Sequence, residues 1–297
     1  MILIRLHDWL QGQGVEAIAA TAQHLQQYQV YLSGDYRSPA GKPLARSTLS
    51  THIAVIKGWY RWLAIKGRIV ADPSRRLESR YVRSRVVVRN PLSLQEATAL
   101  VQTQAAAIPA AKAGTHTQAI AIRNLAIICI ALATGRRIGG ITTLRVVDLD
   151  LERRELRVER EKGRAGRVLP VAGWAVDVVA TYLRDARPML SRGHDAPWLF
   201  LSGPGNGPIT RESLRWTLEE LLKRTIRDNP DLDELPRKRL SWHSLRVSFA
   251  TLLFSNGCDI RSVNELLLHQ SLSTTSRYTP VPIDDLRQVF RTAHPRP

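Results

Sequence analysis

Apolar residues return at Ile18, Ala22, Leu25, Tyr28 and Leu32, the three-and-four spacing of one helix face over residues 15–32. The stretch "SGDYRSPAGKP" that follows is a loop by its Gly, Pro and Ser content. A second helix is expected from a cap at Ser47 or Thr48, burying Leu49, Ile53, Ile56, Tyr60 and Leu63 and ending at Gly67. "VADPSRRL" is a turn or a short helix. Residues 78–91, "ESRYVRSRVVVRNP", lose the periodicity and read as an extended basic linker. Ser93 and Glu96 then form a capping box, and helices are predicted over 93–106 and 117–133. "ELRVERE" and "GRVLPV" alternate around "KGRAG", which predicts a β-hairpin over 155–171. Further helices are expected over 173–186, 210–227, 243–256 with Gly257 as cap, 260–268, a short one reaching Tyr278, and 283–293, with "PWLFLS" as a possible strand.

The fold class is therefore mainly α with a small antiparallel β-sheet (α+β). A helical domain over 1–80 and a linker over 81–91 precede a larger domain over 92–297, whose terminal helix spans 283–293. Ile283, Leu286 and Phe290 form an apolar stripe on that helix, which is expected to be exposed and to dock on a neighbouring protomer.

Composition narrows the partner. The chain of 297 residues carries 43 Lys and Arg against 26 Asp and Glu, a formal net charge of +17. Such an excess points to a polyanion, nucleic acid before any other, and the dominance of arginine fits bidentate phosphate recognition. Cys129 and Cys258 have no metal-like spacing and indicate no disulfide framework, which predicts a cytoplasmic protein. The longest apolar run, "LAIICIALA", is short for a membrane span, and "MILIRLHDWLQ" is too often interrupted by charge for a signal peptide.

Five patches carry the polar groups that phosphoryl transfer requires. Arg136 and Arg137 stand at a loop-to-helix junction after Gly135, and Lys162 lies at a hairpin tip. His243 and Arg246, three apart, share a helix face. His269 follows an apolar helix, and Tyr278 sits nine residues later in the polar stretch "LLLHQSLSTTSRYTP". Taken singly, each has an ordinary structural reading: a surface arginine, a solvated turn lysine, a packed histidine.

The order of these patches resembles the tyrosine recombinase (phage integrase) family. "TGRRIGGITTLRVVD" is similar to the family's "TGLRISEL…L…D". "EKGRAGRVLPV" resembles its basic hairpin. "HSLRVSFATLLFSNGCDIRSVNELLLHQSLSTTSRYT" matches its second box without a gap. "STLSTHIAVIKGWYRWLAIKGRIVADP" resembles its core-DNA-binding domain. Three positions depart: Gly140 stands where the family has a carboxylate, Val247 where it has a histidine, and Leu268 where it has a glycine before the second histidine.

The resemblance implies a site-specific recombinase of the simple two-domain Xer/Cre-like type. Tyr278 is the implied nucleophile, giving a covalent 3′-phosphotyrosine. Arg137 and Arg246 hold the scissile phosphate, with His243 and His269 bonding it and assisting proton transfer. Lys162 is the acid for the leaving 5′ oxygen. No metal, ATP or other cofactor is called for. The implied partners are double-stranded DNA with inverted-repeat sites and a homo-tetramer joined through the C-terminal helix. Ser47, Thr51 and Arg61 on the outward helix face, with Arg164 in the hairpin tip, are the candidate DNA contacts. A type IB topoisomerase-like or telomere-resolving strand transferase, and an inactive DNA-binding relic, remain as alternatives.

Overall fold

A computed structural model describes residues 1–78, 91–158, 166–203, 207–268 and 283–294. The chain divides into two compact units, Met1–Val88 and Arg89–Pro297. The expected linker falls almost wholly on residues outside the description.

The first unit is built on helices α1 (Ile2–Gln11), α2 (Ala22–Gly34) and α3 (Arg46–Ile65). Helix α1 was not anticipated, although Leu6 and Leu10, four apart, are both buried. The single helix expected from residue 15 is instead a 3-10 turn, Ala17–Ala19, followed by a fresh start. The reason is Thr21, whose hydroxyl accepts from the His24 amide while the His24 ring accepts from the Thr21 amide, closing a capping box. Ile18 is left 56% exposed. Helix α3 starts one residue before the expected cap, at an extended Ala45 with no side-chain cap bond, so Ser47 and Thr48 lie in its first turn. Ile53, Ile56, Tyr60 and Leu63 pack against Leu25, Tyr28 and Leu32 as their spacing requires. Tyr60 donates to the carbonyl of Ala17 at 2.8 Å.

The second unit opens with α4 (Leu94–Ala110). Its capping box joins Ser93 and Glu96, and the buried Glu96 carboxylate also pairs with Lys238 at 2.5 Å. Helix α5 (His116–Thr134) is buried on every face from Ala121 onward and is packed by α4 and later helices. At 19 residues it has the length and apolar composition to cross a membrane, contrary to the reading of its shorter run, yet here it forms the centre of this unit's core. Helix α6 (Ile138–Thr142) leads through a 3-10 turn to a three-stranded antiparallel sheet. Its strands are β1 (Leu149–Asp150), β2 (Glu155–Val158) and β3 (Arg167–Pro170). Leu156 opposite Leu169 turns inward, so β2 and β3 form the predicted hairpin.

The helix expected over 173–186 is α7 (Gly173–Thr181), which runs through a π-helical turn, Tyr182–Ala186, into α8 (Arg187–Ser191). Pro188 has no amide to donate to the preceding turn, which accounts for the irregularity. "PWLFLS" makes only single bridges, Arg145 to Trp198 and Leu201 to Pro208, and is not a full strand. Helices α9 (Arg211–Asp228), α10 (Trp242–Ser255), α11 (Ile260–Leu266) and α12 (Ile283–Ala293) complete the unit.

Leu286 and Phe290 of α12 are buried against their own unit, not exposed as expected. Phe290 lies 6.4 Å from the ring of Phe249, and Arg287 pairs with Glu155 of β2. A short helix with this stripe covers apolar surface most readily on the nearest core, which in a single chain is its own.

Candidate active site

The site is built where three helix ends meet. Helix α5 stops at Gly135, which takes φ +58 and closes the helix with a left-handed turn. A Cβ there would stand 2.5 Å from Cδ1 of Phe249 in α10 and 2.9 Å from Cδ2 of Leu267 after α11. Glycine thus lets the ends of α5 and α11 close on α10.

Arg246 of α10 occupies this junction. It is buried, donating through Nη1 to the Gly135 carbonyl at 2.8 Å and through Nη2 to the Leu267 carbonyl at 2.5 Å. Backbone from two separate segments fixes the fork, which suits a guanidinium that must meet an oxyanion in one orientation. Burial first, and then the charges of Arg137 and Arg136, pull the Arg246 pKa down to about 10. Arg246 stays charged at neutral pH in a cluster of like charge, the condition that an anion relieves.

Arg137 is exposed and caps α6, its carbonyl accepting from the amides of Gly140 and Ile141 at 2.8 and 3.1 Å. His243 is the second residue of α10, after a capping box between Ser241 and Ser244. It is exposed and lines a 480 Å³ cleft together with Ser241, Trp242 and Ile138, the neighbour of Arg137. Trp242 anchors this start by donating to the Leu214 carbonyl at 2.8 Å. The structure therefore gathers Arg137, His243 and Arg246 around the α5–α6 and α10 junctions. His243 and Arg246 share a helix, but His243 lies at the surface and Arg246 is buried. Lys162, Arg164, His269 and Tyr278 lie outside the described residues.

The described flanks of those segments are well anchored. Arg167, at the base of the hairpin that carries Lys162, pairs with Glu265 of α11. Leu268, adjoining His269, adopts φ +54, the left-handed conformation a glycine would take there. The sequence reading missed Glu265, the one carboxylate within α11 and one of four polar residues there, with no local pattern to set it apart. It also gave Arg136 no role. The Arg136 side chain lies over Gly140, and its pKa is lowered by burial and by Arg137, with Asp148 opposing. On the first unit, Ser47, Thr51 and Arg61 are all exposed on α3, and the Thr51 hydroxyl donates to the Ser47 carbonyl at 3.0 Å.

Residues 96–282 match the phage integrase family. The chain belongs to that family. It is 33% identical over 294 residues to the tyrosine recombinase XerD of Corynebacterium glutamicum, covering 98% of this chain and 89% of that one. It is 34% identical over 257 residues to the tyrosine recombinase XerC of Mycobacterium leprae, covering 86% and 80%. This family member shares its fold with XerH recombinase bound to palindromic difH substrate in a post-cleavage complex. The TM-score is 0.68 at 16% identity, over 100% of this chain and 76% of that one. This phage integrase family member is a tyrosine recombinase, an enzyme of site-specific DNA recombination.

Proposed function

We propose that this recombinase cuts one DNA strand with Tyr278 and rejoins it from the covalent intermediate. The Tyr278 oxygen attacks the scissile phosphorus and the bond to the 5′ oxygen breaks. Lys162 supplies the proton that turns this leaving group into a 5′ hydroxyl. Arg137, Arg246, His243 and His269 hold the non-bridging oxygens as charge gathers on them, and the histidines assist removal of the tyrosine proton. A free tyrosine has a pKa of about 10, so the proton must leave as attack proceeds. Rejoining reverses the steps: a 5′ hydroxyl attacks the 3′-phosphotyrosine and frees Tyr278, with the phosphoester bond conserved throughout.

One observation carries this reading: the buried Arg246 is held by the carbonyls of Gly135 and Leu267 among other guanidinium groups. The buried Arg123 is also held by neutral oxygens, of Leu201 and Asn124, but Arg246 differs in facing the like charges of Arg137 and Arg136, a cluster that a phosphate would neutralise.

Residues 1–80 serve as a core-DNA-binding domain, 81–91 as a basic linker and 92–297 as the catalytic domain. Ser47, Thr51 and Arg61 on α3, with Arg164, contact the duplex. Four protomers act on two paired inverted-repeat sites in the cytoplasm. The terminal helix passes to a neighbour, which requires its seat on Glu155 and Phe249 to open. The test is a plasmid with two sites: deletion or inversion of the intervening segment supports the proposal, and relaxation alone supports a topoisomerase-like strand transferase.

A further inference from the structure

The two glycines of α6 each lie under an arginine. A Cβ at Gly139 would stand 2.6 Å from Nη2 of Arg211, and one at Gly140 would stand 2.7 Å from Nη2, 3.0 Å from Cζ and 3.1 Å from Nε of Arg136. The second contact involves the whole guanidinium head, so any residue larger than glycine at 140 moves it. Gly140 is also the position at which the family pattern has a carboxylate, while Arg136 stands where that pattern has leucine. Relative to that pattern this chain lacks the carboxylate at 140 and gains a guanidinium at 136, whose head lies where a side chain at 140 would begin.

We propose that Arg136 is a third phosphate-binding arginine of the active site, seated by Gly140 and directed to the phosphodiester that Arg137 and Arg246 hold. Three observations support it. The Nε of Arg136 is buried and has no hydrogen-bond partner among the described residues, which is costly unless a ligand supplies one. Its charge reaches Arg246, so the two heads belong to one field. The carboxylate that acts on it, Asp148, already accepts from the Arg145 amide at 2.8 Å. The proposal rests on the function proposed above.

The test uses the full chain and a nicked half-site. It measures the rate of covalent adduct formation and, in a Tyr278→Phe background, the dependence of binding on salt. Arg136→Met is expected to slow the adduct about tenfold and to reduce the slope of log K against log salt by about 0.9, the value for one phosphate contact. Arg136→Lys is expected to keep the slope and recover part of the rate. An unchanged slope overturns the proposal whatever the rate does, because a merely structural arginine alters the rate without changing counterion release. Arg136→Gln replaces the methionine variant if that one does not fold. A wild type that forms no adduct overturns the underlying function. A wild type that does, with Arg136→Met unchanged, overturns only the role of Arg136.

Discussion

Arg246 donates to the Gly135 carbonyl at 2.8 Å across a sequence separation of 111 residues. The bond joins the helix that carries His243 to the turn that presents Arg137. Neither residue can move without disturbing the other, so the shape of the proposed phosphate site depends on how closely α5 and α10 approach.

Gly135→Ala tests that dependence. The new methyl would meet Phe249 at 2.5 Å on a backbone with φ +58. Strain and overpacking together should cost on the order of 2–4 kcal/mol. Urea denaturation is expected to show an earlier midpoint with an unchanged slope.

Arg246→Lys keeps a positive charge and removes the fork. A lysine cannot span the Gly135 and Leu267 carbonyls while presenting further donors to a phosphate. Adduct formation on a half-site should fall about a hundredfold, in line with loss of a positioned oxyanion donor. Circular dichroism should show the helical content retained.

Leu268 holds φ +54 while packing on the core of the second unit. Alanine and glycine at this position lose the same apolar contacts, but only glycine escapes the left-handed penalty. Leu268→Gly should therefore be more stable than Leu268→Ala by about 1 kcal/mol. Equal midpoints in denaturant would show that the strain is absent.

His52 is buried in the first unit, 3.3 Å from the Arg5 guanidinium. Burial, and then the charge of Arg5, lower its pKa from the usual 6.5. Above that value the ring is neutral whether folded or unfolded, and contributes nothing to pH dependence. Below it the unfolded chain takes up a proton that the folded one refuses, so stability falls with pH. His52→Gln should lose less stability than the wild type between pH 7.5 and pH 5, as read from paired urea titrations.

Much of this was legible in the sequence because helices with one apolar face repeat their signal every turn. The stripe of α3 and the capping box of α4 are examples. The break at Thr21 was missed because the apolar spacing runs on across it, while a cap bond decides the geometry. The burial of Leu286 and Phe290 within this chain was missed for a different reason: a stripe shows that a face will be covered, not by which surface. Arg137, His243 and Arg246 were singled out by order and spacing, and the fold brings the charge of Arg137 close to Arg246. The backbone bonds that aim Arg246 join distant segments, and no local pattern encodes them. Arg136 was overlooked because its meaning lies in Gly140, a residue defined by what it lacks.

The central claim is that Tyr278 carries the DNA. Its most direct test is to trap the adduct on a nicked half-site, digest the protein and locate the nucleotide-bearing peptide by mass spectrometry. The account predicts that the modified peptide contains Tyr278 and disappears in Tyr278→Phe. A covalent nucleotide on any other residue, or an adduct that persists in Tyr278→Phe, would contradict it.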